Sequence, residues 1–326
     1  MCASSGITFI DAIQSEDASR YGGKAYNLSR LHRLGIRVPM GFCIDCSHFT
    51  SLLESSPRLK DLVDSLAESD DPDRILSSAS ELETTVTSYS LPTHLVDAVT
   101  SALVELERRL GRSGVCYAVR SSATIEDATS HSFAGQGRTY LGVREPKDVL
   151  DSIKGVWQSL FSPNSVLYLK TMGVQLSCAK MGVIVQEMAD ADVSGVMFTV
   201  NVANQNMDQM LIESTWGLGE QLVSGRVVPD TFVLDRRTGD IASRKLGTKE
   251  TVSSCPAGTV SGVTTKSTSP KMRSRYTLGK RGLRALAELG LEVERGLGAP
   301  QDIEWCMKDD EITVLQSRPI TTMKRC

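Results

Sequence analysis

Leu28, Leu31 and Leu34 recur at helical spacing between Lys24 and Gly35, so residues 24–35 predict an amphipathic helix stopped by glycine. Val38 to Ile44 then predicts a short strand after a turn. From Ser51 to Arg112 the pattern is helical, in about three segments divided by Pro57, by Ser69-Asp-Asp-Pro72 and by Leu91-Pro92. Nothing in this stretch suggests chemistry; its job is packing and spacing.

The pattern changes at Val115, and this change divides the chain into residues 1–114 and residues 115–326. Strands are predicted at Val115–Ser121 and Arg138–Val143, then an amphipathic helix over Pro146–Leu160. Further strands follow at Met181–Glu187, Gly195–Val200, Met210–Glu213 and Thr231–Asp235. Residues 250–270, rich in Ser, Thr, Gly and Pro, read as a mobile loop. A helix from about Arg275 to Arg295 precedes two final strands, Asp302–Lys308 and Ile312–Gln316, paired through Asp309-Asp310. Interleaved strands and helices of this kind predict an α+β fold in two lobes with a cleft between them.

Composition narrows the function classes. The chain has 326 residues, 40% apolar and 23% charged, as in ordinary globular proteins. Its 36 Lys+Arg against 39 Asp+Glu give a net charge of −3, no electrostatic reason to expect nucleic acid or an anionic membrane. The local cluster Lys271, Arg273, Arg275, Lys280, Arg281 and Arg284 reads as a solvated helix start rather than a binding patch. No apolar run approaches the length needed to span a bilayer, and Met1–Ser15 resembles neither a signal nor a transit peptide. Eight scattered cysteines fit reduced thiols in the cytoplasm, and Cys43-Ile-Asp-Cys46 lacks the setting of a redox or zinc motif.

Several motifs have chemistry-bearing residues. Gly22-Gly23-Lys24 opens a helix, where bare amides and a lysine favour phosphate, although a plain turn has the same sequence. Tyr117-Ala-Val-Arg120-Ser121-Ser122 ends a strand in a guanidinium fork and two hydroxyls. Its bland alternative is an Arg120 paired to Glu126 or Asp127. Ser132-Phe-Ala-Gly135-Gln-Gly137 is either a lid over phosphates or a hairpin turn. Gln186-Glu187-Met188 closes an apolar strand with groups suited to a base or ribose. Trp216-Gly-Leu-Gly219 with Ser224-Gly225 reads equally as a turn or a ligand loop. On the last strands, alternation puts Asp302 with Glu304, and Gln316 with Arg318, on single faces. Carboxylate and amide oxygens suit Mg2+ and arginine suits phosphate; a simple salt bridge is the alternative.

In this order, the segments GGKAYNLSRLHRLGIRVPMGFCI, YAVRSSATIEDATSHSFAGQGRTYLGV, VIVQEMADADVSGVMFTV, ESTWGLGEQLVSGRVVPDTFVLD and DIEW…LQSRPIT resemble the nucleotide-binding domain of the phosphoenolpyruvate synthase and pyruvate phosphate dikinase family, including rifampicin phosphotransferase. The resemblance implies an ATP-grasp fold, ATP and Mg2+ as cofactors, and phosphoryl transfer. Residues 1–114 would form an N-terminal lobe, and 115–326 an ATP-grasp lobe with phosphate lid, nucleotide pocket and metal-binding strands. It makes Lys24 and Arg120 phosphate contacts, Gly135 and Thr139 part of the lid, and Gln186 a contact at the adenine end. It gives Mg2+ to Glu304 and Gln316, and the transferring phosphates to Arg318. Lys24, Arg120 and Arg318 are the expected catalytic cations. Ala25 replaces the family's glycine after the lysine, and Asn201-Val-Ala-Asn204 replaces its asparagine-proline.

Family members continue into a swivelling domain with a phosphate-carrying histidine, and none of His32, His48, His94 and His131 matches it. The expected acceptor is therefore a histidine on a partner protein. A small molecule phosphorylated directly, or a regulatory subunit without turnover, are the other readings.

Overall fold

The computed structural model describes residues 6–124, 137–176, 179–256 and 262–321. The chain divides into two compact units, Met1–Ser29 with Met40–Met188 and Arg30–Pro39 with Ala189–Cys326. Helix and sheet are mixed in both, as an α+β fold requires. Among the described residues, no helix is long and apolar enough to cross a membrane.

The first unit is built on a five-stranded antiparallel sheet of β1 (Ile7–Phe9), β2 (Gly41–Ile44), β3 (Tyr117–Ala123), β4 (Thr139–Val143) and β5 (Met181–Glu187), in the order β1-β2-β5-β3-β4. One face carries Phe42, Ile44, Tyr117, Val119, Val183 and Val185 into a core with Leu62, Leu66, Ile75, Leu82, Leu106 and Trp157. Those partners come from α4 (Pro57–Glu68), α5 (Pro72–Ser88), α6 (Thr93–Leu110) and α7 (Pro146–Ser159), beside α3 (Cys46–Glu54) and α8 (Pro163–Thr171). The proline breaks fall where the sequence puts them: α4 and α5 each begin with proline in the first turn, where its missing N–H is no loss. The three breaks separate four helices, α3 to α6, one more than the three segments expected, and α3 starts upstream of Ser51 at an Asp45 cap. Central β5 is buried on both faces, since α1 (Ala18–Tyr21) and α2 (Gly23–Arg33) cover part of the other side.

The second unit holds a six-stranded antiparallel sheet: β6 (Val193–Phe198), β7 (Gln209–Trp216), β8 (Asp230–Asp235), β9 (Ile241–Lys245), β12 (Gln301–Lys308) and β13 (Glu311–Pro319), in the order β13-β12-β6-β7-β8-β9. Met197, Ile212, Phe232, Ile303 and Trp305 point to one face and form a core with Leu283, Leu286, Ala287 and Val293 of α11 (Lys280–Leu297). Gly290 lets this helix close on the sheet, for a Cβ there would stand 2.9 Å from Met197 Cε. Leu31 and Ile36 join the same core.

Two expectations change here. Residues 250–270 are not simply a loop: β10 (Thr251–Ser254) and β11 (Thr264–Ser267) pair in register, Thr251 opposite Ser267, and residues 257–261 lie outside the described residues. Alternating Ser and Thr, depleted of large apolar groups, hid an exposed two-stranded ribbon. The helix predicted from Arg275 begins at Lys280, behind a Gly279 cap and a separate short turn, α10 (Pro270–Arg273). A four-residue helix, α9 (Glu220–Val223), follows the Trp216–Gly219 loop.

Candidate functional site

In the first unit, the sheet face opposite the helical core carries the predicted residues. Strand register puts Thr139 directly opposite Arg120, and Gln186 opposite both Ala118 and Gly41. Directly opposed residues share a face and alternate residues return to it, so Thr139, Arg120 and Gln186 lie on one side. Gln186 is buried, Arg120 half-buried and Thr139 exposed.

The start of α2 is fixed to that same face. Gly22 has φ +83°, and a Cβ on it would stand 2.2 Å from the carbonyl oxygen of Ser122. Only glycine tolerates both that backbone and that approach. Ser122 Oγ then accepts from the Ala25 amide at 3.1 Å, taking one of the amides that a helix start leaves unpaired. Lys24 is thereby held at the helix start, beside the strand that carries Arg120. Ala25 is fully buried, so the departure from glycine is absorbed by packing.

Glu187 does not point to a ligand in this structure: its carboxylate accepts from the Met40 amide at 3.1 Å and from Arg112 at 2.6 Å. Cys43 is fully buried and Cys46 nearly so, and burial pushes both thiols above their ordinary range. Cys43 lies in core strand and Cys46 opens α3, a helix start that the sequence reading did not find, and both thiols are buried. Gly135, His131, Glu126 and Asp127 lie outside the described residues. Gly137 is described, and its backbone passes so close to Ser121 that a Cβ would overlap Ser121 Oγ.

In the second unit, Glu304 and Gln316 are direct cross-strand partners, and so are Asp302 and Arg318. The four side chains occupy the face opposite α11. Direct partners on neighbouring strands have Cβ atoms about 5 Å apart, so the Glu304 carboxylate and Gln316 amide oxygen can reach one cation. Arg318 donates from Nε and Nη2 to Asp302 Oδ2, each at 2.7 Å. Burial raises the Asp302 carboxyl above its ordinary value, and the guanidinium opposes that shift. The salt bridge weighed as an alternative therefore exists, between Asp302 and Arg318.

The face of Gln316 and Arg318 depends on an irregularity. Glu304 pairs with Gln316 but Trp305 pairs with Val314, so Leu315 is an extra residue on β13. Simple alternation from the Asp309-Asp310 turn would place Gln316 and Arg318 on the core side.

The glycine-rich loop after β7 is structural. Gly217 has φ +70° and lies against the Ser253 carbonyl, the Gly217 amide donates to the Asp192 carbonyl at 2.8 Å, and the Leu218 amide donates to Ser253 at 2.9 Å. Asn201, buried, builds the turn that replaces asparagine-proline: its Oδ1 accepts from the Ala203 amide, and its Nδ2 donates to Gln209.

Two features escaped the sequence reading. Asp230 and Lys249 form a fully buried ion pair, and Asp230 also accepts from the Gly247 amide and from the amide and hydroxyl of Thr277. The Pro229-Asp230 start of a strand was its signal. Glu213, half-buried on β7, lies in the same cross-strand row as Glu304 and Gln316. Its signal was an acid interrupting the apolar run Met210–Ile212.

The chain is an α+β protein whose two sheets each carry polar and charged residues on the face opposite the larger helical core. The chain belongs to the family of the pyruvate phosphate dikinase AMP/ATP-binding domain, which it matches over residues 18–326. It is 34% identical over 97% of its length to a probable phosphoenolpyruvate synthase of Methanothermobacter thermautotrophicus, covering 46% of that protein. It is 36% identical over 96% of its length to a rifampicin phosphotransferase of Streptomyces sviceus, covering 36% of it. It is also 37% identical over 94% of its length to a prodigiosin synthesizing transferase of Serratia marcescens, covering 32% of it. The chain thus spans less than half the length of these curated relatives.

Proposed function

We propose that this chain is an ATP-grasp phosphotransferase module that binds Mg-ATP and passes a phosphoryl group to a histidine on a partner protein. The observation that carries this reading is the direct pairing of Glu304 with Gln316 beside Arg318, in a chain of the pyruvate phosphate dikinase AMP/ATP-binding family. One carboxylate and one amide oxygen fit Mg2+, which binds few protein ligands and keeps water and phosphate oxygens for the rest. Bound there, Mg2+ would supply charge neutralisation for the transferring phosphates.

The chain's own residues supply the remaining interactions. Lys24, at the start of α2, and Arg120 hold phosphate oxygens, and Arg318 offers the guanidinium edge not engaged by Asp302. Thr139 and Gly135 close over the triphosphate and exclude water. Gln186, buried at the end of β5, hydrogen-bonds the adenine end within an apolar wall. The cytoplasm, where ATP and reduced thiols coexist, is the compartment this reading implies.

The test is an assay of the purified chain with Mg-ATP for AMP, ADP and phosphate. AMP formed only when a histidine-domain protein of this family is added supports the proposal. Turnover with a small metabolite alone would make the chain a direct kinase. Tight ATP binding without turnover in either setting would make it a regulatory nucleotide-binding subunit.

A further inference from the structure

Glu213 and Thr215 lie two positions apart on β7 and therefore project to one face. It is the face of Glu304 and Gln316, because Gln316, Glu304, Val196 and Glu213 are successive direct partners across the sheet. Neither β7 side chain is used within the fold. Among the described residues, nothing hydrogen-bonds or pairs with the Glu213 carboxylate, and burial alone displaces its ionisation, upward. Thr215 Oγ1 is buried in a residue 1% exposed, and it has no hydrogen-bond partner among the described residues. Buried polar groups are nearly always satisfied, so an unpaired hydroxyl beside an unpaired carboxylate marks a place where a ligand completes the bonding.

The chemistry of the pair selects the ligand. A carboxylate repels phosphate oxygens, so the triphosphate is excluded. A cation shared with Glu304 is disfavoured too: the two backbones are two strand spacings apart, roughly 9.6 Å, with apolar Val196 between them. Among the described residues, no three His, Cys, Asp or Glu side chains gather around one point. What remains is a ligand with paired O–H donors, and ATP has one such pair.

We propose that Glu213 accepts hydrogen bonds from the two ribose hydroxyls of the bound nucleotide, with Thr215 completing the contact, so that this chain selects ribonucleotides over deoxynucleotides. The inference rests on the ATP-binding reading above, whose site it extends to β7. Accepting two O–H donors would restore the ionised carboxylate that burial disfavours.

Calorimetric titration of the full chain in Mg2+ with ATP and with 2′,3′-dideoxy-ATP tests it, using the wild type, Glu213→Ala, Glu213→Gln and Thr215→Val. The wild type should bind ATP at least about tenfold more tightly than the dideoxy analogue, the usual loss when hydrogen bonds to a charged group are removed. Glu213→Ala should lose about that factor for ATP and bind the analogue unchanged; Glu213→Gln and Thr215→Val should fall between. Equal binding of both nucleotides by the wild type overturns the inference while leaving ATP binding intact. An equal loss for both in Glu213→Ala, with Glu213→Gln no better, also overturns it and points to metal or to packing. Absence of any ATP binding by the folded wild type would instead overturn the reading on which it rests.

Discussion

Arg318 spends two of its donors, Nε and Nη2, on a single oxygen of Asp302. Asp302 is buried and Arg318 is partly open, so the bond orients a cation whose remaining donors stay on the polar face. Arg318→Ala should weaken ATP binding and also leave the Asp302 carboxylate unpaired, costing about 2 kcal/mol of stability. Urea denaturation checks the second effect, and adding Asp302→Ala should recover part of it. Asp302→Asn should reduce ATP affinity with a smaller stability loss, since the neutral amide still packs but no longer anchors the guanidinium. ATP affinity unchanged in all three variants would remove Arg318 from the site.

Glu213 predicts a pH signature of its own. Burial raises its folded-state carboxyl above the ordinary 4.5, so the folded chain holds that proton more tightly than the unfolded chain. The stabilisation is complete below pH 4.5 and is lost as pH rises through the folded-state value. At neutral pH the ionised carboxylate therefore weighs against folding, and Glu213→Gln should raise the ligand-free melting temperature there. The gain should vanish below about pH 4, where both side chains are neutral. A difference that persists at low pH would assign the effect to packing.

The Asp230–Lys249 pair is fully buried and ties the β9–β10 connection to the start of β8. Replacing one partner leaves the other as an unpaired buried charge, and Lys249→Met should cost about 3–5 kcal/mol in denaturant titration. Joining it with Asp230→Asn should restore much of the loss, because the uncompensated charge is what is expensive.

At the start of α2, Ser122→Ala removes the bond to the Ala25 amide and should cost about 1 kcal/mol, as loss of a helix-start cap does. Gly22→Ala should be worse, since it brings a Cβ into the Ser122 carbonyl at a backbone angle of +83°. Thermal melts rank the two, and ATP binding should fall with Gly22→Ala because Lys24 moves with the helix start.

Glu304→Gln and Gln316→Ala should each raise the Mg2+ concentration needed for ATP to stabilise the chain, by about tenfold, with a smaller effect at saturating Mg2+. A thermal-shift series at fixed ATP and varied Mg2+ is the check. An unchanged Mg2+ midpoint in both variants would remove the metal from this pair.

Much of the fold could be read from alternation and proline placement. The bounds that the sequence predicts for β5 are those observed, Pro57 and Pro72 open α4 and α5, and Pro92 caps α6. What escaped has physical causes. The β10–β11 ribbon lacks the large apolar residues that reveal strands. Helix α11 starts at Lys280 because the chain is still extended at its Gly279 cap, so the basic residues from Arg275 lie outside it. At the site, the cofacial positions of Arg120, Thr139 and Gln186 follow from strand register, which one sequence does not display. The sequence pattern ends the strand at Glu213, whereas β7 runs on to Trp216.

Leu315 invites one more conclusion. Pairing β12 with β13 without a break, Leu315 included, would keep the same Asp309-Asp310 turn, whose two positive φ angles suit a tight reversal. By local rules that is the better hairpin. Yet Glu304 would then stand across from Leu315 instead of Gln316, and the amide and guanidinium would be turned toward the hydrocarbon beneath α11. The bulge acts as a frameshift written in space: one surplus residue carries everything after it to the opposite side. A more regular strand would separate Glu304 from Gln316.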